Sequence, residues 1–243
     1  LLDVPLDIVQ ARAEFEHREI KRRFDELVKR IANQTGAARN ATEALRIIEE
    51  DHPRPEELMR STEAALDRAY ELTQTQKVLS SMPPRPQVVE MPAYRFGFIQ
   101  VSLPSPLEPD RSAQVQIDPV DPTWKDKRRI SEHLRFLNRS QLLLTALHEV
   151  VPGHASQQTA LRKRAGELSP IRQRSMSPAF LEGWSSYAEQ LVAVDLAPTG
   201  TTATPASDKL QLLALRHQLV RLGRLVIVLQ LHTVVIPRPE ALQ

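Results

Sequence analysis

The spacing of apolar and polar residues predicts a chain built mainly from amphipathic helices. From residue 8 to 34 apolar side chains recur on one face at helical spacing, and Gly36 is placed to end that helix. The same pattern predicts helices over residues 41–50, 56–79 and 209–232. We therefore expect a mainly α fold.

A proline-rich segment interrupts the helical pattern. Nine of the 19 prolines fall between residues 83 and 122, where long helices are excluded because proline cannot donate a backbone hydrogen bond. Residues 95–101 and 113–117 alternate between apolar and polar positions, which predicts two short strands, a β-ribbon. Helices are predicted to resume near Lys125 and to continue into the region discussed next, with loops over residues 163–177 and 196–208.

The segment His148-Glu149-Val150-Val151-Pro152-Gly153-His154, which follows an apolar run, contains the parts of a catalytic zinc site. In the usual H-E-x-x-H signature the two histidines face one metal because they are four residues apart on a helix. Here they are six apart, which in an unbroken helix would leave them about 120° apart. Pro152 and Gly153 predict a break that turns His154 back toward the metal. Glu149 would then be the general base rather than a ligand.

A second helix supplies further carboxylates. Ser177-Pro178 is a typical helix start, and Glu182 and Glu189 then lie two turns apart on one face, with Ser185 and Ser186. Catalytic zinc takes three protein ligands and leaves one position open. We assign Glu182 as the third ligand and Glu189 as the carboxylate that hydrogen-bonds a ligating histidine. The reverse assignment stays open.

An apolar stripe runs along the same helix, formed by Phe180, Trp184, Tyr187 and Leu191. It predicts that these side chains belong to the core. For Tyr187 the alternative is a catalytic role, as a hydrogen-bond donor to the oxyanion of a tetrahedral intermediate.

The paired motifs H-E-x-x-P-G-H and E-G-W-x-x-Y-x-E resemble the bacterial domain-of-unknown-function family 885, which is similar to the gluzincin type of zinc metallopeptidase. The family motif continues to a glutamine, matched here by Gln157, which the resemblance places in support of the metal ligands. The chain departs from the family at Ala155, where a second adjacent histidine is usual, and at Val228, where an aspartate is usual. Family members run on beyond the position of Gln243, so we expect this chain to be truncated relative to the family.

The resemblance has further implications for the site. It places His232 near the cleft as a hydrogen-bond donor to an oxyanion or substrate carbonyl, whereas the pattern alone also allows a core histidine. Arg221 and Arg224 are predicted to bind a substrate carboxylate, with surface charges as the alternative. The strand over residues 113–117 is predicted to be an edge strand beside the metal, where an extended substrate could pair. The remaining histidines, predicted to be solvated or structural, are His17, His52, His133 and His217.

The amino-acid composition limits the classes of protein to which the chain can belong. With 41% hydrophobic and 26% charged residues, the chain is typical of a soluble globular protein. The 32 basic residues are interspersed with 30 acidic ones and aromatic residues are few, so we expect no nucleic-acid partner. The absence of cysteine excludes disulfides and thiolate zinc sites. No apolar run approaches the roughly 18 residues of a membrane span. A secreted or lipid-anchored form is left open, as are the compartment and the oligomeric state.

These observations predict three regions: an N-terminal helical region (1–82), a proline-rich segment with short strands (83–122) and a metal-binding helical region (123–243), together forming one continuous domain. The predicted function is that of a zinc-dependent hydrolase, a metallopeptidase acting on peptide or related amide bonds. One alternative is a non-catalytic helical domain stabilised by metal. Another is a non-hydrolytic metalloenzyme, since two histidines and a carboxylate also suit non-haem iron.

Overall fold

The computed structural model describes residues 4–95, 97–104, 112–175 and 177–233. Within these ranges the fold is mainly α, as the sequence predicts. The α-helices, in chain order, are α1 (Leu6–Thr35), α2 (Ala41–Glu49), α3 (Leu58–Thr75), α4 (Lys127–Phe136), α5 (Arg139–Glu149), α6 (His154–Lys163), α7 (Pro170–Arg174), α8 (Pro178–Gln190) and α9 (Pro205–His232).

Local caps explain where several helices begin and end. Gly36 ends α1 in the left-handed conformation, at φ 62°, and its N–H donates to the carbonyl of Ala32. Asn138 divides the helix predicted from Lys125 onward into two, because its side chain accepts from the backbone N–H of Gln141 and so starts α5. The predicted loop over residues 163–177 instead contains the short helix α7, which Ser169 caps.

A small sheet of three strands replaces the predicted two-stranded ribbon. The strands β1 (Gln87–Glu90), β2 (Ile99–Ser102) and β3 (Gln114–Ile117) lie in the order β1-β3-β2, with β3 parallel to β1 and antiparallel to β2. The prediction that residues 113–117 form an edge strand is therefore wrong, since β1 and β2 occupy both edges of β3. The sequence reasoning missed β1 because it lies among prolines.

Helix α5 is central to the packing and contacts α3, α8 and α9. Leu142, Leu144 and Leu147 on α5 are all buried. The long helices α1 and α9 pack together, and the Arg30 guanidinium lies 2.6 Å from the carboxylate of Asp208, which is 0% exposed. Helices α8 and α9 both pack against α5, which carries His148 in its last turn, and they also contact each other.

None of the helices in the described ranges is both long enough and apolar enough to cross a membrane.

Candidate metal centre

The two motif histidines lie on different helices joined by a tight turn. Helix α5 ends at Glu149, the chain turns through residues 150–153, and His154 is the first residue of α6. The backbone N–H of Val151 donates to the carbonyl of Ala146, and that of Gly153 donates to the carbonyl of Leu147. These bonds hold the turn against the last turn of α5, so the second histidine begins beside the first.

Gly153 is required in this turn because of space. A Cβ added at Gly153 would lie 1.6 Å from the carbonyl oxygen of His148 and 2.8 Å from that of Leu147. The backbone of Gly153 has φ −73° and ψ −134°, and this ψ lies outside the main helical and extended ranges of other residues. Only a residue without a side chain allows this approach of the turn to the end of α5.

The side chains of His148, His154 and Glu182 converge. The Nε2 atom of His148 lies 3.5 Å from one oxygen of Glu182, and the Nε2 atom of His154 lies 3.5 Å from the other. The two imidazole planes are nearly perpendicular, at 86°, and the potential ligand atoms all lie within 4.8 Å of one another. Ligands about 2.0–2.1 Å from a tetrahedral zinc are about 3.4 Å apart. The donor set and the two distances of 3.5 Å to Glu182 are compatible with a bound divalent metal ion.

The other nitrogen of each ring has a partner on α8. The Nδ1 atom of His148 lies 3.0 Å from Oε2 of Glu189, and the Nδ1 atom of His154 lies 2.9 Å from Oγ of Ser185. Each Nδ1 can then carry the proton and donate it, which leaves both Nε2 atoms free to bind metal. The structure thus places Glu182 beside the Nε2 atoms of both histidines and Glu189 beside the Nδ1 atom of His148. Ser185 was not predicted to have this role, although it shares the helix face of Glu182.

Glu189 connects His148 to α9. Its carboxylate is 2% exposed, and its second oxygen accepts from Arg221 at 3.1 Å. Burial by itself raises the pKa of Glu189, but His148 and Arg221 outweigh it and the pKa is lowered overall. Burial by itself lowers the pKa of His148. The hydrogen bond to Glu189 and the negative charge of Glu189 are the main causes that outweigh burial, so the pKa of His148 is raised overall. Arg221, predicted to bind a substrate carboxylate, is placed against Glu189.

A cavity of about 200 Å³ opens beside this group, between α5 and α9. It contains Glu149, the predicted general base, whose carboxylate has no hydrogen-bond or ion-pair partner in the described part of the chain. The remaining lining residues are Gln141, Leu144, Thr145, His148, Glu189, His217 and Arg221. Glu149 is therefore free to accept a proton from a molecule in this cavity.

The prediction that the apolar stripe of α8 belongs to the core is wrong for two members. Phe180 is 61% exposed and Tyr187 is 55% exposed. The buried residues of α8 are Ser185, Ala188 and Glu189, because this helix turns the face that carries Ser185 and Glu189 toward α5 and α6. Trp184 is half-buried, and its indole N–H donates to the carbonyl of Pro152 at 2.9 Å. It thereby ties α8 to the turn between the histidines.

Three other predicted residues lie apart from the group. The amide of Gln157 donates to the carbonyl of Phe180, at the start of α8, rather than to a ligand. Arg224 and His232 are exposed. His232 follows Arg221 by eleven residues on α9, a rise of about 16 Å along the helix. The structure does not bring His232 to the metal group.

Among the other histidines, His133 is structural, and His217 lines the cavity beside the metal group. His133 is 5% exposed, and its Nε2 atom lies 2.9 Å from the carbonyl oxygen of Asp118. His217 lies in the cavity with His148 and Glu149, and burial lowers its pKa. No local pattern around His217 indicates this position, because the register of α9 against α5 depends on tertiary packing.

One known protein family matches this chain. The model of a family described as "Bacterial protein of unknown function (DUF885)" matches residues 1–243. The chain belongs to this family. A comparison with curated proteins finds no match.

A solved structure shares the fold. It is described as "a putative lipoprotein of unknown function" from Shewanella oneidensis, and it matches with a TM-score of 0.72 and 14% sequence identity. The match covers 95% of this DUF885 chain and 41% of the neighbour. At this identity the likeness concerns the fold alone.

Proposed function

We propose that this DUF885 protein is a zinc-dependent hydrolase, specifically a metallopeptidase that cleaves peptide or related amide bonds. The observation that carries the proposal is the convergence of two Nε2 atoms on Glu182, at 3.5 Å each, with a hydrogen-bond partner behind each ring. This donor set, two histidines and a glutamate, is that of the gluzincin peptidases which the paired motifs resemble.

His148, His154 and Glu182 would hold the zinc ion. When bound with one open coordination position, zinc lowers the pKa of water and polarises the carbonyl under attack. Glu149 accepts the proton of the attacking water and passes it to the leaving amine. Tyr187, predicted from the sequence to stabilise the oxyanion, stays a prediction, whereas His232 lies too far along α9 for the same role.

Two features favour catalysis over a purely structural metal. Structural zinc sites are closed by four protein ligands, whereas here three potential ligands converge and the side chain of Glu182 is 66% exposed. An unpaired carboxylate, Glu149, lies in the adjacent cavity. A metal ion that only stabilises the fold requires neither an open coordination position nor an unpaired carboxylate beside it.

Metal analysis combined with one substitution tests the proposal. We expect purified protein to contain one zinc per chain, and His148→Ala and His154→Ala to lose it. His17→Ala, a histidine on α1 outside the group, is the matched control and should keep the metal. Glu149→Gln should keep zinc and lose turnover of a peptide library by about 100-fold or more.

Other outcomes identify the alternatives. Stoichiometric iron in place of zinc would favour a non-hydrolytic metalloenzyme. Zinc without cleavage of any peptide in the library would favour the metal-stabilised domain. Retention of metal in both histidine variants would refute the site itself.

The description of the Shewanella oneidensis protein as a lipoprotein also supports a lipid-anchored location. Incorporation of labelled palmitate in cells that express this protein tests the lipid-anchored location. Recovery of unlabelled protein in the cytosolic fraction would contradict it.

A further inference from the structure

Exposed apolar side chains are concentrated where α1 and α9 pack together at one end. The two helices run antiparallel, because Arg30, near the end of α1, contacts Asp208 at the start of α9, whereas Glu14 and Gln230 line one groove at the other end of the pair. Of the 15 large apolar side chains that are exposed in the described ranges, eight lie at this second end, which we call the α1/α9 end. They are Val4, Leu6, Ile8, Phe15, Val220, Leu225, Ile227 and Val228, each 39–58% exposed.

The exposed stripe on α1 has the spacing of a helix that packs against another helix. Ile8, Ala11 and Phe15 follow one another by three and four residues, so they lie on one side of α1, and all three are exposed. The buried residues Ala13 and Ile20 lie on the opposite side, where α1 meets the core. An apolar stripe with an average spacing of about 3.5 residues is typical of the seam between two helices. The stripe is therefore suited to a further helix, beyond those of the core.

Helix α9 contributes an apolar side to the same surface. Val220 and Ile227 are seven residues, or about two turns, apart and so share one side of α9. Ile227 lines a groove of about 360 Å³ between the two helices. Arg18, which follows Phe15 by three residues on α1, lines the same groove. The apolar sides of α1 and α9 thus border one groove and form a continuous surface.

Two charged side chains of this groove, Glu14 and Arg18, have no ion-pair partner in the described part of the chain. Because both belong to one surface, a second copy related by a two-fold axis would offer the opposite charge to each. In such an isologous contact Arg18 of one copy meets Glu14 of the other, and the pair occurs twice. The surface is therefore complementary to itself in charge.

The size of the apolar surface is also that of a dimer contact. Full burial of a large apolar side chain removes about 100 Å² of surface from water, at about 25 cal/mol per Å². Because the eight side chains are about half exposed, together they present on the order of 400 Å² of apolar surface. A standard interface buries about 800 Å² on each partner, of which a little more than half, about 450 Å², is non-polar.

We propose that the α1/α9 end binds the same end of a second copy of this chain, so that the four helices pack as a bundle about a two-fold axis. Helix bundles bury the apolar stripes of neighbouring helices against one another. The contact covers Phe15 and Ile227 in both copies and pairs Arg18 with Glu14 across the axis. It does not depend on the proposed hydrolysis, because the potential metal ligands lie on α5, α6 and α8.

Sedimentation velocity over a range of protein concentrations tests the dimer. We expect wild-type protein to dimerise with a Kd in the micromolar range or tighter. Phe15→Glu and Ile227→Glu each place a charge inside the contact and should weaken dimerisation by about 100-fold or more. Ile171→Glu makes the same kind of change at an exposed position on α7 and should leave the dimer intact. Because all three positions are exposed, each variant should keep the circular dichroism of the folded protein.

Charge reversal distinguishes a second copy from other occupants of the surface. Arg18→Glu brings like charges together across the axis and should weaken dimerisation by about tenfold or more, as should Glu14→Arg. The double variant restores opposite charges and should recover the wild-type Kd. A chain that stays monomeric at about 100 µM, a dimer that survives Phe15→Glu, or single reversals without rescue would overturn the proposal. Monomeric protein that binds anionic phospholipid vesicles, and loses this binding in Phe15→Glu, would also overturn it and assign the surface to a membrane.

Discussion

Replacement of Gly153 by alanine tests whether the turn between the histidines positions the metal ligands. The added Cβ would lie 1.6 Å from the His148 carbonyl oxygen, and contacts of this kind are essentially never shorter than 3.0 Å. The turn and the end of α5 must therefore separate by about 1.4 Å, the difference between these two distances. The contacted atoms are backbone and cannot rotate away.

This displacement is large compared with the tolerance of a metal site. Ligand distances must hold to within about 0.2 Å, so His154 cannot keep its place opposite His148. We expect zinc affinity to fall by about 100-fold or more, since misplacement by about 1 Å can cost that much in function. Overpacking should also cost about 2 kcal/mol of stability, which lowers the melting temperature by about 4–8 °C for a chain of this size.

The assay is competition for zinc with a chelator of known affinity, together with thermal unfolding followed by circular dichroism. Gly223→Ala is the matched control, because a Cβ at Gly223 meets nothing within 4 Å. It should keep wild-type zinc affinity and gain up to about 1 kcal/mol from improved helix propensity. Wild-type zinc affinity in Gly153→Ala would refute the reasoning that the close approach sets the ligand geometry.

Three further substitutions concern the partner of His148, the turn between the histidines and the N-cap of α9. Glu189→Gln keeps the shape of the side chain but removes the negative charge that contacts both His148 and Arg221. Zinc affinity in the chelator assay should therefore fall by about 10- to 100-fold. An unchanged affinity would show that Glu189 does not support His148. Trp184→Phe removes the indole donor to Pro152 and should cost about 1 kcal/mol in urea unfolding, and an unchanged midpoint would contradict a role in holding the turn. Thr204→Ala removes the N-cap of α9 and should cost about 1 kcal/mol with no loss of zinc, so a loss of zinc would mean that the two effects are not separate.

Much of the fold follows from local sequence signals. Helix α1 ends before Gly36 and α2 begins at Ala41, as the sequence predicts, because Gly36 and the N-cap residue Asn40 act through backbone groups a few residues away. The break between His148 and His154 was also predictable, since Pro152 and Gly153 disrupt a helix whatever surrounds them.

Features that depend on tertiary packing were not predictable in the same way. The edge or central position of β3 is set by which strands pair with it, and the alternation along β3 is the same in both cases. The burial of the polar face of α8, with Tyr187 exposed, reverses what an apolar stripe predicts, because that face carries Ser185 and Glu189, the hydrogen-bond partners of His154 and His148. His217 reaches the site only through the packing of α9 on α5.

X-ray absorption at the zinc edge of the zinc-loaded protein tests the central claim most directly. The account predicts one zinc bound by two imidazole nitrogens at about 2.0–2.1 Å and one carboxylate oxygen at about 2.0–2.2 Å. His154→Ala should remove one imidazole contribution or abolish binding. A zinc environment without two imidazoles, or one that His154→Ala leaves unchanged, would contradict the account.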